Sequence, residues 1–382
     1  MGPIPGTYTA SLQGDYRVFI PEPLPPQLDI PSDVLKLVEE ATHALGQASM
    51  CRALLPNPEL LTYGSLQREA IASSMIEGTI ATPDELVLFQ ADQKPEREEV
   101  REVANYAEAL RWGCEQLKSL PITTRLILGL HERLLRGVRG ATTAGRFKDR
   151  QNWIGPRPSM PIKEATFVPP PPEAVPELMA ALERYINLPN QEPKVVQCAL
   201  VHYQFETIHP FTDGNGRVGR LLIILHLIQL GLLSEALIHP SVYFERAHAD
   251  YNERLRGVHD KGAWNEWIAY FAQAMTHQGQ ETIQLVEKMR QLQDQLYAET
   301  AEIRRRAAVQ AVLDVFFHQP VLSITRVAEL ANLSYVTANT ALNILEGKGI
   351  VREITGKRKG RLYACDPILK VVFGTEASGR QG

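Results

Sequence analysis

Residues His209 to Arg220 read His-Pro-Phe-Thr-Asp-Gly-Asn-Gly-Arg-Val-Gly-Arg, placing a base, a carboxylate, an amide, three glycines and two arginines within twelve positions. The run leads directly into an apolar stretch, Leu221–Leu230. A glycine-rich loop that opens a helix is an anion site, because its backbone N–H groups point at the ligand and the helix dipole favours negative charge there. Arg217 and Arg220 can add charge-assisted bonds to phosphate oxygens. Asp213 can hold a hard cation that also touches phosphate. His209 titrates near neutrality and can take a proton from an incoming nucleophile. Plainer readings exist. Asp-Gly-Asn-Gly also suits a tight turn, and it resembles part of a calcium loop, although the spaced acids and terminal Glu of such a loop are missing. His202, Glu206 and His209 stand at helical spacings of four and three, but Pro210 begins the loop and argues against a metal cluster.

These groups need a scaffold, and 382 residues are enough for two or three domains. The composition is that of a globular protein, and a net charge of −4 argues against a surface built for nucleic acid. Cys51, Cys114, Cys198 and Cys365 lie far apart without a Cys-x-x-Cys, which predicts reduced thiols and a cytoplasmic protein. The longest apolar run, Leu221–Leu233, is interrupted by His226 and Gln229 and is too short to cross a bilayer, so no membrane partner is expected.

The pattern predicts a mainly α-helical chain. Residues 1–31 are a proline-rich N-terminal arm, extended and not folded. Residues 32–100 form an N-terminal helical region that includes a helix over 62–77, closed by Gly78. Thr82-Pro-Asp-Glu85 has the form of a capping box. Residues 101–290 form a helical core, interrupted over 139–172 by glycine, proline, Trp153 and Phe167, where a small β-hairpin flap is expected. Residues 300–370 read as a winged helix-turn-helix, and 371–382 as a flexible tail. On the helix over 62–77, Leu66, Ala70, Ser73 and Glu77 fall on one stripe. A glutamate in the last helical turn opposes the dipole at a cost of roughly 0.3–1 kcal/mol, and is better tolerated if a cation receives it.

The twelve-residue run resembles the signature of the Fic (filamentation induced by cAMP) family, His-Pro-Phe-x-Asp-Gly-Asn-Gly-Arg-x-x-Arg, at every fixed position. The segment Glu102–Tyr106, the Gln151-Asn-Trp-Ile154 region and Tyr243-Phe244 look like further family features. The resemblance implies a nucleotidyltransferase that moves AMP from ATP, with Mg2+, to a Tyr, Thr or Ser hydroxyl of a target protein or of itself. His209 would be the base and Asp213 the Mg2+ ligand. Gly214, Asn215 and Gly216 would stabilise the α-phosphate, with Val218 and Gly219 counted in the same nucleotide-binding loop. Arg217 would meet the β-phosphate and Arg220 the γ-phosphate. Tyr251 and Asn252 would lie near the base. The flap, about Ile162 to Phe167, would dock the target main chain as an added strand.

Ser73-Ser-Met-Ile-Glu77-Gly78 resembles the family's inhibitory motif, which implies that Glu77 occupies Arg220 and disfavours productive ATP binding. The resemblance adds a homodimer as a partner. A relative that uses UTP, a hydrolase that removes AMP, and a nucleotide-sensing DNA-binding regulator are the alternatives. DNA contact is the less favoured: the basic turn carries Lys357, Arg358, Lys359 and Arg361, but the candidate recognition helix, Thr337 to Leu345, carries Asn339 and Asn343 and no Lys or Arg.

Overall fold

The structure is a computed structural model; it describes residues 2–11, 16–55, 59–92, 97–155, 160–303, 305–356 and 360–374, the side chains of 90–92 excepted. Two antiparallel strands open the chain, β1 (Gly6–Ala10) and β2 (Arg17–Pro21), in register from Gly6 opposite Pro21 to Ala10 opposite Arg17. The expectation of an unfolded arm over 1–31 is corrected here. Phe19 is fully buried, and its N–H donates to the Val168 carbonyl at 2.9 Å. The prolines that suggested an arm are Pro21, the last residue of the ladder, and those beyond it, where a missing N–H costs little.

Helices follow: α1 (Ser32–Cys51), α2 (Glu59–Ile76), α3 (Pro83–Asp92), α4 (Glu98–Leu117) and α5 (Thr124–Leu134). Gly78 closes α2 with φ +83, and its N–H donates to Met75. The capping box forms: the Thr82 N–H meets Glu85 Oε2 at 2.8 Å and the Glu85 N–H meets Thr82 Oγ1 at 3.2 Å. Between α5 and α6 (Val175–Asn187) the expected β-hairpin reduces, among the described residues, to one antiparallel bridge, Ile154 to Phe167, with a short 3-10 turn at Ile162–Glu164. Pro161 and the run Pro169–Pro172 have no N–H to give a ladder, so pairing cannot spread.

The core is built on α7 (Lys194–Ile208) and α8 (Asn215–Gln229), antecedent and successor of the signature loop. Leu221 to Leu227 of α8 are buried throughout, as a helix apolar on every face must be. Then come α9 (Pro240–Arg246), α10 (His248–Lys261) and the 36-residue α11 (Trp264–Glu299), which runs beside α1. The chain finishes with α12 (Arg306–Phe316), β3 (Val321–Ser323), α13 (Ile324–Leu330), α14 (Tyr335–Gly347), β4 (Arg352–Glu353), β5 (Leu362–Ala364) and α15 (Asp366–Phe373). The three strands pair in the order β3-β5-β4.

Two large apolar clusters divide the interior among the described residues, with a small third one of Val87, Val321, Leu362 and Ala364. Leu66 and Ala70 of α2 and Trp264–Met275 of α11 join the one around α7 and α8. Leu60 and Leu61 of α2, with Leu285, Val286, Met289 and Leu296 of α11, join the one formed by α12–α15. The boundary expected near 290–300 therefore falls inside a continuous helix. The flexible tail expected over 371–382 is corrected over its first residues: Val371–Phe373 complete α15, where Val372 is buried against Gly64, and 375–382 lie outside the described residues. Lys357, Arg358 and Lys359 lie outside the described residues, while Arg361 bonds Asn339 Oδ1 at 3.1 Å. No described helix is long and apolar enough to cross a membrane.

Candidate active site

The α7 helix ends at Ile208, and His209 is its C-cap in the left-handed conformation, φ 49 and ψ 59. That conformation costs a non-glycine residue about 1–2 kcal/mol and turns the chain abruptly out of the helix. The His209 Nδ1 lies 3.2 Å from the Glu206 carbonyl, which can only accept. Nδ1 therefore carries the proton, and Nε2 keeps its lone pair. Burial first, then the nearby Lys148 charge, lowers the imidazole pKa to about 4, so the ring is neutral at pH 7.

The loop is closed on itself. The Phe211 N–H donates to Asn215 Oδ1 and Asn215 Nδ2 donates back to the Phe211 carbonyl, both at 2.8 Å. Gly214 sits at φ +79 as N-cap of α8, a position that leaves glycine nearly the only comfortable residue. The free N–H groups of the first turn of α8 then face a cleft of about 1010 Å³ whose lining includes Glu77, Glu206, His209, Asp213, Gly216 and Arg220.

Arg220 is 1% exposed and makes three bonds to α2 and the residue that follows it. Its Nε donates to Ser73 Oγ at 2.9 Å, and one terminal nitrogen donates to the Ser73 carbonyl at 2.9 Å and to Glu77 Oε1 at 2.7 Å. The stripe Leu66, Ala70, Ser73 thus faces the protein as its spacing predicts, and Glu77, with a side chain 37% exposed, closes it at the cleft. Burial would raise the Glu77 carboxyl, but the charge and hydrogen bond of Arg220 outweigh it and hold the carboxyl below its usual value. A side chain at Gly216 would collide with Glu77 Oε1, so this carboxylate stands directly over the first turn of α8.

Several expected site residues are elsewhere. Arg217 is 2% exposed, does not line the cleft, and donates to Glu102 Oε2 at 3.0 Å, with Asp213 Oδ1 at 3.6 Å. Val218 points into the apolar core, and Gly219 is the point where Glu206 of α7 approaches α8 too closely for any Cβ. Asn215 is 3% exposed and spends its amide on Phe211, so it braces the loop. Tyr251 and Asn252 do line the cleft. The Tyr251 hydroxyl donates to His202 Nε2 at 2.7 Å, while His202 Nδ1 donates to the Gly219 carbonyl at 3.1 Å. Only the ring of Tyr251 is thereby left to a ligand, and Asn252 lies 2.9 Å from His248 Nε2.

Sequence reasoning missed the loop's outer supports. His131 of α5 accepts the Gly145 N–H at Nδ1 and so donates from Nε2 to the Asp213 carbonyl at 3.0 Å, with its ring stacked 3.8 Å from Phe211. Lys148 and Asn152 hold the other side of the loop. The unusual run Gln151–Ile154 was a signal for Asn152, whereas nothing in the sequence pairs His131 with a carbonyl 82 positions away.

Residues 121–227 match the Fic/DOC family model and residues 35–115 the Fic/DOC family N-terminal model. The chain is 30% identical over 191 residues to a "Probable protein adenylyltransferase" of Aquifex aeolicus, covering 48% of this chain and 54% of the relative. It is 30% identical over 174 residues to "Protein adenylyltransferase Fic" of Nematostella vectensis, covering 44% of this chain and 35% of that one. The matched region therefore spans about half of the first relative's length and about a third of the second's. A crystal structure of a Fic family protein from Desulfovibrio desulfuricans G20 superposes with a TM-score of 0.58 at 22% identity, over 90% of this chain and 98% of the other.

Proposed function

The chain carries a Fic/DOC domain behind its N-terminal companion region, and from that premise we propose that it is a protein adenylyltransferase, moving AMP from ATP to a hydroxyl side chain of a protein target. The observation that carries this reading is the neutral His209, with Nδ1 tied to Glu206 and Nε2 free, at the edge of a cleft floored by the N-terminus of α8. Nε2 takes the proton of the target hydroxyl, the hydroxyl oxygen bonds to the α-phosphorus, and pyrophosphate leaves. The N–H groups of Gly216 and its neighbours receive the charge on the α-phosphate.

Of the two signature arginines Arg220 is the one that lines the cleft, beside Arg150 and Arg256, and it serves the terminal phosphates once Glu77 is displaced. Arg217 holds the loop through Glu102 in the present conformation, and a contact to phosphate requires it to leave that partner. Asp213 lines the cleft with a side chain 39% exposed, and would hold Mg2+. A single carboxylate fits that ion, which keeps water and phosphate oxygens as its other ligands and offsets phosphate charge when bound. Among the described residues no cluster of three His, Cys, Asp or Glu offers a cage for a wholly protein-held metal.

Incubation with ATP labelled at the α-phosphate should leave label on protein, and ATP labelled at the γ-phosphate should leave none. Retention of γ-label would make the reaction a kinase reaction and remove the proposal. The pH dependence follows from His209. Its lowered pKa means the free base persists well into acid, so the acid limb of kcat/KM should lie near 4. An acid limb at the ordinary histidine value would mean that His209 is not the base.

A further inference from the structure

We propose that Lys148 and Asn152 form a two-residue clamp that positions His209 for proton transfer, from a segment 55 or more residues away from the signature. The Lys148 N–H donates to the Pro210 carbonyl at 2.9 Å. Its ammonium donates to Asn152 Oδ1 at 2.7 Å. Asn152 Nδ2 donates to the Phe211 carbonyl at 2.8 Å and, more weakly, reaches the His209 carbonyl at 3.4 Å. Three consecutive carbonyls, from His209 to Phe211, are thus held from one side.

The polarity of the amide is forced. Backbone carbonyls can only accept, so the NH2 must face the loop, and Lys148, which can only donate, must face Oδ1. Lys148 therefore sets the rotamer of Asn152, and Asn152 sets the loop. Such a device is needed because His209 is held at φ 49, outside the comfortable range of a histidine, and surroundings must over-determine a conformation of that kind. Lys148 is 4% exposed, while Asn152 is half-buried at the cleft wall. An ammonium kept dry beside the ring also makes a second positive charge on His209 costly. The charged groups acting on the imidazole are Lys148, Glu77 and Asp213, and of these only Lys148 favours the neutral base. Burial pulls the Lys148 pKa down to about 7, so its charge is complete only below neutral pH, the range in which the imidazole takes up its proton.

The clamp deepens the adenylyltransferase reading and rests on it, so its test includes a readout that needs no turnover. In a Glu77→Gly background, Asn152→Ala and the isosteric Asn152→Asp should lower kcat about tenfold to a hundredfold, with KM for ATP changed by less than about threefold, because the attacking geometry is lost and the nucleotide cradle is kept. Lys148→Met should lower kcat and move the acid limb of kcat/KM upward; Lys148→Arg, which restores the charge and the donor to Asn152, should recover part of both. In parallel, nitrogen-15 histidine NMR follows the His209 ring without ATP. The ring should be the neutral Nδ1–H tautomer in the parent and should protonate at higher pH in Lys148→Met. Unchanged kcat and unchanged ring titration in folded variants would overturn the clamp. A shifted ring titration with no AMP transfer in any variant would keep the clamp and overturn the adenylyltransferase reading.

Discussion

Glu77→Gly should raise the rate of AMP incorporation at saturating ATP on the order of ten- to a hundredfold. The carboxylate occupies Arg220 at 2.7 Å and stands over Gly216, where phosphate must approach. Its side chain is 37% exposed, so the pair lies between a surface bridge, ~0–1 kcal/mol, and a buried one, about 3–5 kcal/mol to break. Each 1.4 kcal/mol or so is a factor of ten. Arg220 keeps its two bonds to Ser73 in the variant, so it remains in place with one donor free for phosphate. The same change should lower the apo melting temperature, since a 1%-exposed guanidinium loses its counter-charge, and ATP should restore much of it. Glu77→Gln, which keeps a hydrogen bond and drops the charge, should fall between. Equal initial rates for parent and Glu77→Gly would sink the inhibitory role proposed for Glu77.

His209→Ala in that activated background should cost about 10²–10⁴ in kcat, the range of a removed general base, with ATP affinity nearly unchanged. The loop should survive because its carbonyls and amides are held by His131, Asn152 and Asn215, none of which depends on the imidazole. Alanine at φ 49 carries strain, so His209→Asn is the better control: asparagine tolerates the left-handed region and cannot serve as the base. Residual transfer at parent rates in both variants, measured by α-phosphate label, would show that another group removes the proton.

What was legible in the sequence was local. His209–Arg220 names its own chemistry, because a cap, a turn and a helix start must share neighbouring residues. Ser73 and Glu77 were legible as one stripe because helical periodicity carries it along the helix, whereas Arg220 as the partner of Glu77 was implied by the family resemblance alone. Thr82 with Glu85 and Gly78 at the end of α2 were legible for the same reason, each being a bond across three residues.

The errors share a cause as well. Prolines from Pro21 onward suggested an arm, while the pairing of Gly6–Ala10 with Arg17–Pro21 depends on Phe19 finding a pocket under Val168. The change of composition over 139–172, with Trp153 and Phe167 among glycines and prolines, suggested a hairpin flap, yet its prolines leave a single bridge among the described residues. Arg217 and Arg220 look equivalent in the motif, two cations three positions apart. The fold separates them, because one side of α8 meets Glu102 of α4 and the other meets Ser73 of α2 and Glu77 just beyond its end.

The sequence by itself therefore determined the reactive groups and the local caps, since capping and periodicity act over one or two turns, but not the start of α8, which the apolar run put at Arg220 and which falls at Asn215. Only the tertiary structure decided which arginine lines the cleft, that Tyr251 has given its hydroxyl to His202, and that Lys148, Asn152 and His131 hold the loop. Those outcomes depend on which helix faces packing brings together, and a carbonyl that must accept a bond does not specify where along the chain its donor will be found.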